Sequence, residues 1–378
     1  MGLRWIDGVG LRWIDGVRLR WIDGVRLRRN DGVGPPRNDG VGPRLDPHRA
    51  WRAMPSSVGP MDSMRAVTIS DFGAEPELSE LPVPEPGADE VLVRIEAAAV
   101  NPFDWKVVDG ALKEFVPHQF PLVLGNDAAG VVERAGANVV RFRPGDRVCG
   151  QFMSVRHGRG GYAEYAVISE KSYAVVLPAD LPFDIAAALP TAGMSAYNAV
   201  DAACGADDRT ILINGATGGV GQFAVQFAAQ RGLRVIATAG PDMADYLAEL
   251  GAAELVDRAR GDTVDQVRAA HPEGLDAVLD LVSNPADALR VAGLLDTGGT
   301  LVSTVGGLDR DALADMGVLG VNFQNKSSNE LLTTLVAMAA AGTLKVRIDA
   351  AVPLSEVAAR ASALRTARSR GKTVILPG

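Results

Sequence analysis

The sequence predicts an α/β protein in which a small, mainly β unit precedes a doubly wound parallel sheet. Three observations carry that reading. Residues 64–185 read as short strands separated by Gly- and Pro-containing turns. From residue 210, uninterrupted apolar strands alternate with helical segments. A glycine-rich turn joins the first of those apolar strands to the first of those helices.

Composition supports a folded body. The chain has 378 residues, 47% of them hydrophobic and 22% charged, which is enough apolar material for a sizeable core. The 46 acidic residues outnumber 38 Lys and Arg, for a formal charge of −8. That balance argues against nucleic-acid binding, which draws on Lys and Arg against phosphate. Two cysteines, Cys149 and Cys204, allow neither a disulfide framework nor a four-cysteine zinc site. No run of 18 apolar residues marks a membrane span, so a cytoplasmic protein is expected.

Residues 1–63 stand apart. Near-copies of GLRWIDGV recur every eight residues over 2–41, and the segment carries 11 Arg against 7 Asp. An eight-residue period matches no solenoid repeat, Gly and Pro interrupt helix, and Arg and Asp break every apolar run that a secretory signal needs. The expectation is a disordered tail, or sequence upstream of a start at Met54, Met61 or Met64. The competing reading is a basic arm for an acidic partner.

The mainly β unit spans 64–185. RAVTI, EVLVRIEAAAV, AAGVVERAG, DRVCG, AEYAVI and YAVVL read as strands, and EPGADE, RPGDR and HGRGG between them are turn chemistry. Residues 186–326 form the second unit. DIAAALPTAGMSAYNAVDAA reads as one helix. TILING (210–215), RVIATA (234–239), ELVD (254–257), DAVLDLV (276–282) and GTLVSTV (299–305) are strands, with helices GVGQFAVQFAAQRG and MADYLAELG among them. Apolar strands without alternation imply a sheet buried on both faces. The tail, 327–378, reads helix–strand–helix–strand and is expected to complete the first unit.

The turn Gly215-Ala216-Thr217-Gly218-Gly219-Val220-Gly221 is the sharpest local signal. Glycines let a backbone approach a pyrophosphate, and the helix start offers N–H groups and partial positive charge. Ala216 stands where the usual pattern has its first glycine. At the end of the second strand, Thr238-Ala239-Gly240 contains no acid to hold a ribose 2′-hydroxyl. Asp242 reads as a helix cap, and Arg258, after the third strand, reads either as a contact for a 2′-phosphate or as a solvated loop charge. These residues favour NADPH over NADH.

The body resembles the zinc-independent, quinone oxidoreductase-like branch of the medium-chain dehydrogenase/reductase superfamily. The stretches that carry the resemblance are AAAVNPFDWKVVDG, FPLVLGNDAAGVVERAG, RPGDRVCG, GGYAEYAVI, ALPTAGMSAYNAV, INGATGGVGQFAVQFA and the terminal GKTVIL, and together they cover essentially all of 64–378. The resemblance implies a GroES-like mainly β catalytic domain and a Rossmann doubly wound parallel-sheet domain. Zinc-dependent relatives carry ligands where this sequence has Asn101, Asn126-Asp127 and Thr191. Amides and a hydroxyl suit zinc poorly, and His118, His157, His271 and the cysteines show no ligand spacing, so no metal is expected.

Without a metal, hydride transfer to a quinone is favoured, because a conjugated acceptor spreads the incoming charge. An alkenal, enone or enoyl-thioester reductase is the alternative, and an NADPH-binding protein with little turnover a reading of another class. The resemblance puts the loop bearing Asn101, Asp104 and Lys106 beside the nicotinamide as catalytic candidates, with Trp105 more simply an interface anchor. Asn101 is expected to donate a hydrogen bond to the substrate carbonyl. Tyr162, Tyr165 and Tyr197 are better read as packing residues. The resemblance further implies cofactor contacts from Ser195, Thr304, Val305, Gly306, Asn322, Phe323 and Lys372, with a solvated charge the alternative for Lys372. The edge around 318–325 is expected to pair across a homodimer.

Overall fold

The computed structural model describes residues 63–205, 209–366 and 370–378, together with the backbone of four two-residue strands between residues 5 and 18. The expectation for the octapeptide tail as a whole lies outside the described residues. The chain divides after Gly59, and both large sheets belong to the unit Pro60–Gly378. The mainly β sheet and the parallel sheet anticipated from the sequence are both present.

The first sheet runs in the order Ala174–Val176, Arg147–Gln151, Asp127–Ala135, Glu90–Ala99, Lys372–Leu376, Ile348–Pro353, with Tyr165–Ser169 also paired to Glu90–Ala99. Two of these strands come from the C-terminal tail, and Val374 and Ile375 pair antiparallel with Ala99 and Ala98. That crossing brings Lys372 next to the end of Glu90–Ala99. A smaller sheet joins Glu77–Pro82, Ser63–Ile69 and Leu122–Val123. Glu77–Pro82 is absent from the sequence reading because none of its residues is buried, so it carries no apolar run.

The second sheet has six parallel strands in the order Ala252–Asp257, Arg234–Ala239, Thr210–Asn214, Leu275–Asp280, Leu295–Ser303, Leu319–Asn322. The chain order reverses between Thr210–Asn214 and Leu275–Asp280, and a crevice opens at such a switch point. Ile211, Leu212 and Ile213 are all fully buried. Ile211 and Ile213 enter the core shared with helices Pro190–Ala203 and Gly219–Gln230, whereas Leu212 enters the opposite core under Thr263–Ala270 and Pro285–Ala292. A strand that serves two cores has no polar face, which is why its sequence is continuously apolar.

Two helical segments differ from the sequence reading. The long helix expected before residue 204 is two helices, Phe183–Ala187 and Pro190–Ala203. Pro190 supplies no backbone N–H and opens the second helix, where none is needed. The last helical stretch is likewise split into Leu354–Val357 and Ala361–Thr366. Among the described residues, no helix is long and apolar enough to cross a membrane.

Gly221 is a packing requirement. A Cβ there would lie 2.3 Å from the Gly215 carbonyl oxygen and 2.6 Å from the Ala216 Cα, both backbone atoms that cannot swing away. At Gly218 the nearest such atom is 3.6 Å away. Gly221→Ala is therefore expected to lower stability by about 1–3 kcal/mol through overpacking, and Gly218→Ala by less. Paired urea melts of the two variants check this, and equal midpoints would contradict it.

Candidate active site

A cleft of about 440 Å³ runs between the two sheets. Val100, Asn101, Pro102, Trp105 and Lys106 line it from the first sheet's side. Residues 218–221 of the glycine turn, with Gly215, Leu281, Val282, Thr304 and Val305, line it from the parallel sheet. Lys372 lines it as well.

The glycine turn is built for close approach. Gly215 has φ +96°, and a Cβ there would meet Val282 Cγ1 at 2.7 Å. Its N–H is held by the Thr238 hydroxyl at 2.9 Å. Thr238 thus shapes the turn from behind and is 1% exposed, so its hydroxyl is occupied rather than offered to a ligand. Gly218 caps the helix Gly219–Gln230 in extended backbone. The first turn of that helix has N–H groups without intrahelical partners, and residues 218–221 line the cleft. Val282 and Val305, 56% and 45% exposed, give the same wall two apolar side chains.

The opposite wall starts where Pro102–Val108 forms a short helix. Asn101 precedes Pro102, and its backbone N–H donates to Asp104 Oδ2 at 2.8 Å. Asn126 N–H donates to Asp104 Oδ1 at 2.8 Å, and the Tyr162 hydroxyl donates to Oδ2 at 2.6 Å. Asp104 is fully buried and does not line the cleft. It fastens the 101–108 segment to the strand entering at Asn126. The catalytic role expected for Asp104 therefore has no exposed carboxylate behind it.

Asn101 is also tied on every side. Its Oδ1 accepts from the Lys372 ammonium at 2.6 Å, and its Nδ2 donates to Asp127 Oδ2 at 3.0 Å and to the Ala99 carbonyl at 3.2 Å. Both amide hydrogens are occupied, so the donor role expected for Asn101 is not available in this arrangement. Asp127 further accepts from the Thr191 hydroxyl at 2.6 Å and the Thr191 backbone N–H at 2.8 Å. Asn126 Nδ2 reaches Thr191 Oγ1 at 2.8 Å. Asn101, Asn126, Asp127 and Thr191 thus form one hydrogen-bonded cluster with a lysine attached.

Burial sets the protonation of this cluster. It pushes the Asp104 carboxyl up to about 6, against the lowering effect of Tyr162 and the two backbone N–H groups. Burial also raises Asp127, partly offset by Lys372, Thr191 and Asn101. It lowers Lys372, while the charges of Asp127 and Asp104 work in the opposite direction.

Of the other residues singled out from the sequence, Lys106 is exposed on the cleft wall and has no ion-pair or side-chain hydrogen-bond partner among the described residues. Thr304 lines the cleft, and Gly306 has φ +86° in the turn that follows. Asn322 is bonded through both side-chain atoms to the Leu308 backbone, which fixes that turn. Phe323 packs against the larger core, and Ser195 is buried in its helix away from the cleft lining. Lys372, expected at a phosphate, directs its ammonium to Asn101 and the Val100 carbonyl instead, at 2.6 and 2.8 Å. Trp105 is buried in the first sheet's core, and its indole N–H has no acceptor among the described residues.

A second recess of about 390 Å³ contains Thr217, Gly240, Asp242, Arg258 and Arg370. Arg370 is absent from the sequence reading. The basic run around it was visible, but only the return of the tail strand brings it to Asp242, whose carboxylate it meets at 2.9 Å. Among the described residues, no three His, Cys, Asp or Glu side chains form a group able to hold a metal.

Comparison with known proteins gives two family matches, "Alcohol dehydrogenase GroES-like domain" over residues 87–179 and "Zinc-binding dehydrogenase" over 250–375. A chloroplastic quinone-oxidoreductase of Triphysaria versicolor is 39% identical over 51% of this chain and 61% of its own length. The match therefore spans about three-fifths of that relative. The human quinone oxidoreductase is 30% identical over 83% of this chain and 98% of its own. A 2-methylene-furan-3-one reductase of Solanum lycopersicum is 32% identical over 85% of this chain and 81% of its own. Among solved structures, the quinone oxidoreductase of Coxiella burnetii superposes with a TM-score of 0.73 at 28% identity, covering 84% of this chain and all of that one. A cobalt- and zinc-bound alcohol dehydrogenase of Pyrobaculum aerophilum superposes with a TM-score of 0.69 at 31% identity, covering 83% of this chain and all of that one.

The Asp104 cluster gives a prediction with a definite sign. Its carboxyl holds a proton more tightly in the fold, at about 6, than the reference value of 3.8. That favours the folded state at low pH, and the advantage is lost as pH rises through about 6. The Tyr162 hydroxyl supports the ionised form, so Tyr162→Phe is expected to cost about 1–3 kcal/mol at pH 8 and less at pH 5. Urea denaturation at the two pH values checks this, and a loss independent of pH would contradict it.

Proposed function

We propose, for a chain that belongs to the medium-chain dehydrogenase/reductase superfamily and to its quinone oxidoreductase-like branch, the NADPH-dependent reduction of a quinone without a bound metal. The observation that carries this reading is the single cleft that joins the glycine turn to the 100–106 segment. One wall suits a dinucleotide and the other meets whatever lies against its reactive ring.

The residues fit the cofactor. The helix start at Gly219 would hold the pyrophosphate through backbone N–H groups. Val282 and Val305 would flank the nicotinamide. Arg258 and Arg370, in the recess beside Gly240, would receive a 2′-phosphate. The Asp242 carboxylate that would oppose a phosphate is already paired to Arg370. When bound, the reduced nicotinamide supplies the hydride.

The residues do not fit zinc. Asp127 is the one carboxylate among Asn101, Asn126, Asp127 and Thr191, and its oxygens are committed to Asn101, Asn126 and Thr191. A lysine ammonium already bonds the first of these residues. A cation beside that ammonium would be repelled. An acceptor that delocalises charge needs no Lewis acid, and positioning carries the reaction. Lys106 would supply an ammonium, without an ion-pair partner among the described residues, on the acceptor's side of the cleft, and beside it Trp105 has an indole N–H with no acceptor among those residues.

The Solanum relative's name supports an enone as the second acceptor class, since an enone spreads charge as a quinone does. A second copy of the chain against the edge strand Leu319–Asn322 would cover Leu319, which is 55% exposed.

The test is to follow NADPH oxidation by the purified protein with 1,4-benzoquinone, an alkenal and a crotonyl thioester in turn. Oxidation with the quinone is expected, and tight NADPH binding with no oxidation by any acceptor would overturn the reading in favour of a binding protein. Arg258→Ala and Arg370→Ala are each expected to raise the KM for NADPH about 10- to 100-fold, the value of a lost charge-assisted hydrogen bond, and to leave that for NADH within about twofold. Equal effects on both cofactors would remove the basis for NADPH preference.

A further inference from the structure

Lys372 is a buried charge that the reading above leaves unused. It is 3% exposed, yet it lines the cleft. Its backbone is fixed, because the N–H of Lys372 donates to the Arg347 carbonyl at 2.9 Å. Its stem runs against the helix start of the glycine turn: a Cβ on Gly219 would lie 2.6 Å from Lys372 Cδ. The absence of a side chain at Gly219 is therefore what lets the lysine pass. At its tip, one N–H donates to Val100 O and a second to Asn101 Oδ1. The ammonium has three N–H groups, and the third has no partner among the described residues.

An ammonium is not placed in such surroundings cheaply. The Asp127 carboxylate is reached only through the Asn101 amide, not by a direct ion pair. The charge is thus held in place, partly compensated and one donor short, on the wall of the cleft that faces the glycine turn. A metal would occupy a similar electrostatic position, as a fixed positive charge next to the reacting oxygen.

We propose that Lys372 is the catalytic proton donor of this site, its third N–H meeting the oxygen of a conjugated carbonyl or quinone bound in the cleft. This rests on the reductase reading given above. As hydride adds to the conjugated system, the acceptor gains two electrons and the dihydronicotinamide loses them. The Lys372 N–H bond breaks with its electron pair left on nitrogen, and an O–H bond forms on the acceptor. The neutral amine then regains a proton from water. Val100 and Asn101 aim the donor, which gives the buried amide of Asn101 a positioning role. Burial lowers the pKa of Lys372 from its ordinary value, so the proton leaves more readily than from a hydrated lysine. The other charged groups facing it or lining the same cleft are Asp127, Asp104, Lys106, Asp109 and Arg365. Lys106 is the exposed competitor, and water screens its charge.

The experiment compares wild type, Lys372→Met and Lys106→Ala. NADPH affinity is read from nicotinamide fluorescence, and turnover is measured with an enone and with tetrachloro-1,4-benzoquinone, whose reduced oxyanion is stable without protonation. Lys372→Met is expected to bind NADPH within about threefold of wild type, to lose at least about 100-fold in kcat with the enone, and to lose far less with the chlorinated quinone. Lys106→Ala is expected to keep the wild-type ratio between the two acceptors. Undiminished enone turnover in Lys372→Met overturns the proposal. So does a tenfold loss of NADPH affinity with an unchanged acceptor ratio, which would make the lysine a phosphate ligand. Should Lys372→Met fail to fold, the wild-type pH profile decides: kcat with the enone must fall on an alkaline limb below the ordinary lysine range, and a flat profile there overturns the proposal. Wild type that binds NADPH but reduces neither acceptor would sink the reductase reading itself, a result distinct from an active wild type matched by an equally active variant.

Discussion

The site depends on burying three ionisable groups, Asp104, Asp127 and Lys372, where two sheets meet. Asp104 and Asp127 are fully buried and Lys372 is 3% exposed at the cleft wall, so protein groups must supply nearly all of their hydrogen bonds. Asp104 takes two backbone N–H groups and a tyrosine hydroxyl. Asp127 takes Thr191 twice and the Asn101 amide. Lys372 takes a backbone carbonyl and the same Asn101. These bonds join the end of Glu90–Ala99, the start of Asp127–Ala135, the helix beginning at Pro190 and the returning strand Lys372–Leu376. Satisfying the charges fixes the relative placement of the elements that form the cleft.

The same network gives the glycine turn a second meaning. Its glycines are usually explained by what a dinucleotide requires. Here each has its own neighbour. Gly215 makes room for Val282, Gly221 packs its helix onto the turn, and Gly219 clears the stem of Lys372. The turn is thus shaped from both sides at once. The glycine turn and the segment at Val100–Asn101 are both in contact with one side chain, Lys372.

How much of this was legible in the sequence follows from the range of each interaction. The parallel strands were readable because burial on both faces leaves a continuous apolar run, as in Ile211–Leu212–Ile213. The glycine turn was readable because its requirements lie within seven residues. The strand Glu77–Pro82 was not, since it buries no residue and so has no apolar run to mark it. The split at Pro190 does not show in the sequence pattern, because the residues on both sides of the proline keep a helical composition. At the site, Asn101 and Lys372 were both identified, but their contact spans 271 positions in the chain and no local pattern encodes it. For the same reason no local pattern shows the bonds that occupy the Asn101 amide and the Asp104 carboxylate, or the pairing of Arg370 with Asp242. Long-range partners decide what a polar side chain has left to offer, and those partners are set by the return of the tail strand.

The central claim is that this cleft passes hydride to a delocalised acceptor with a lysine, not a metal, as its fixed positive charge. The direct measurement is turnover of chelator-dialysed protein with NADPH and a quinone, with metal content determined on the same sample. The account predicts full activity in protein free of metal and no gain on adding Zn²⁺. Activity that disappears with the metal and returns with Zn²⁺ would contradict it.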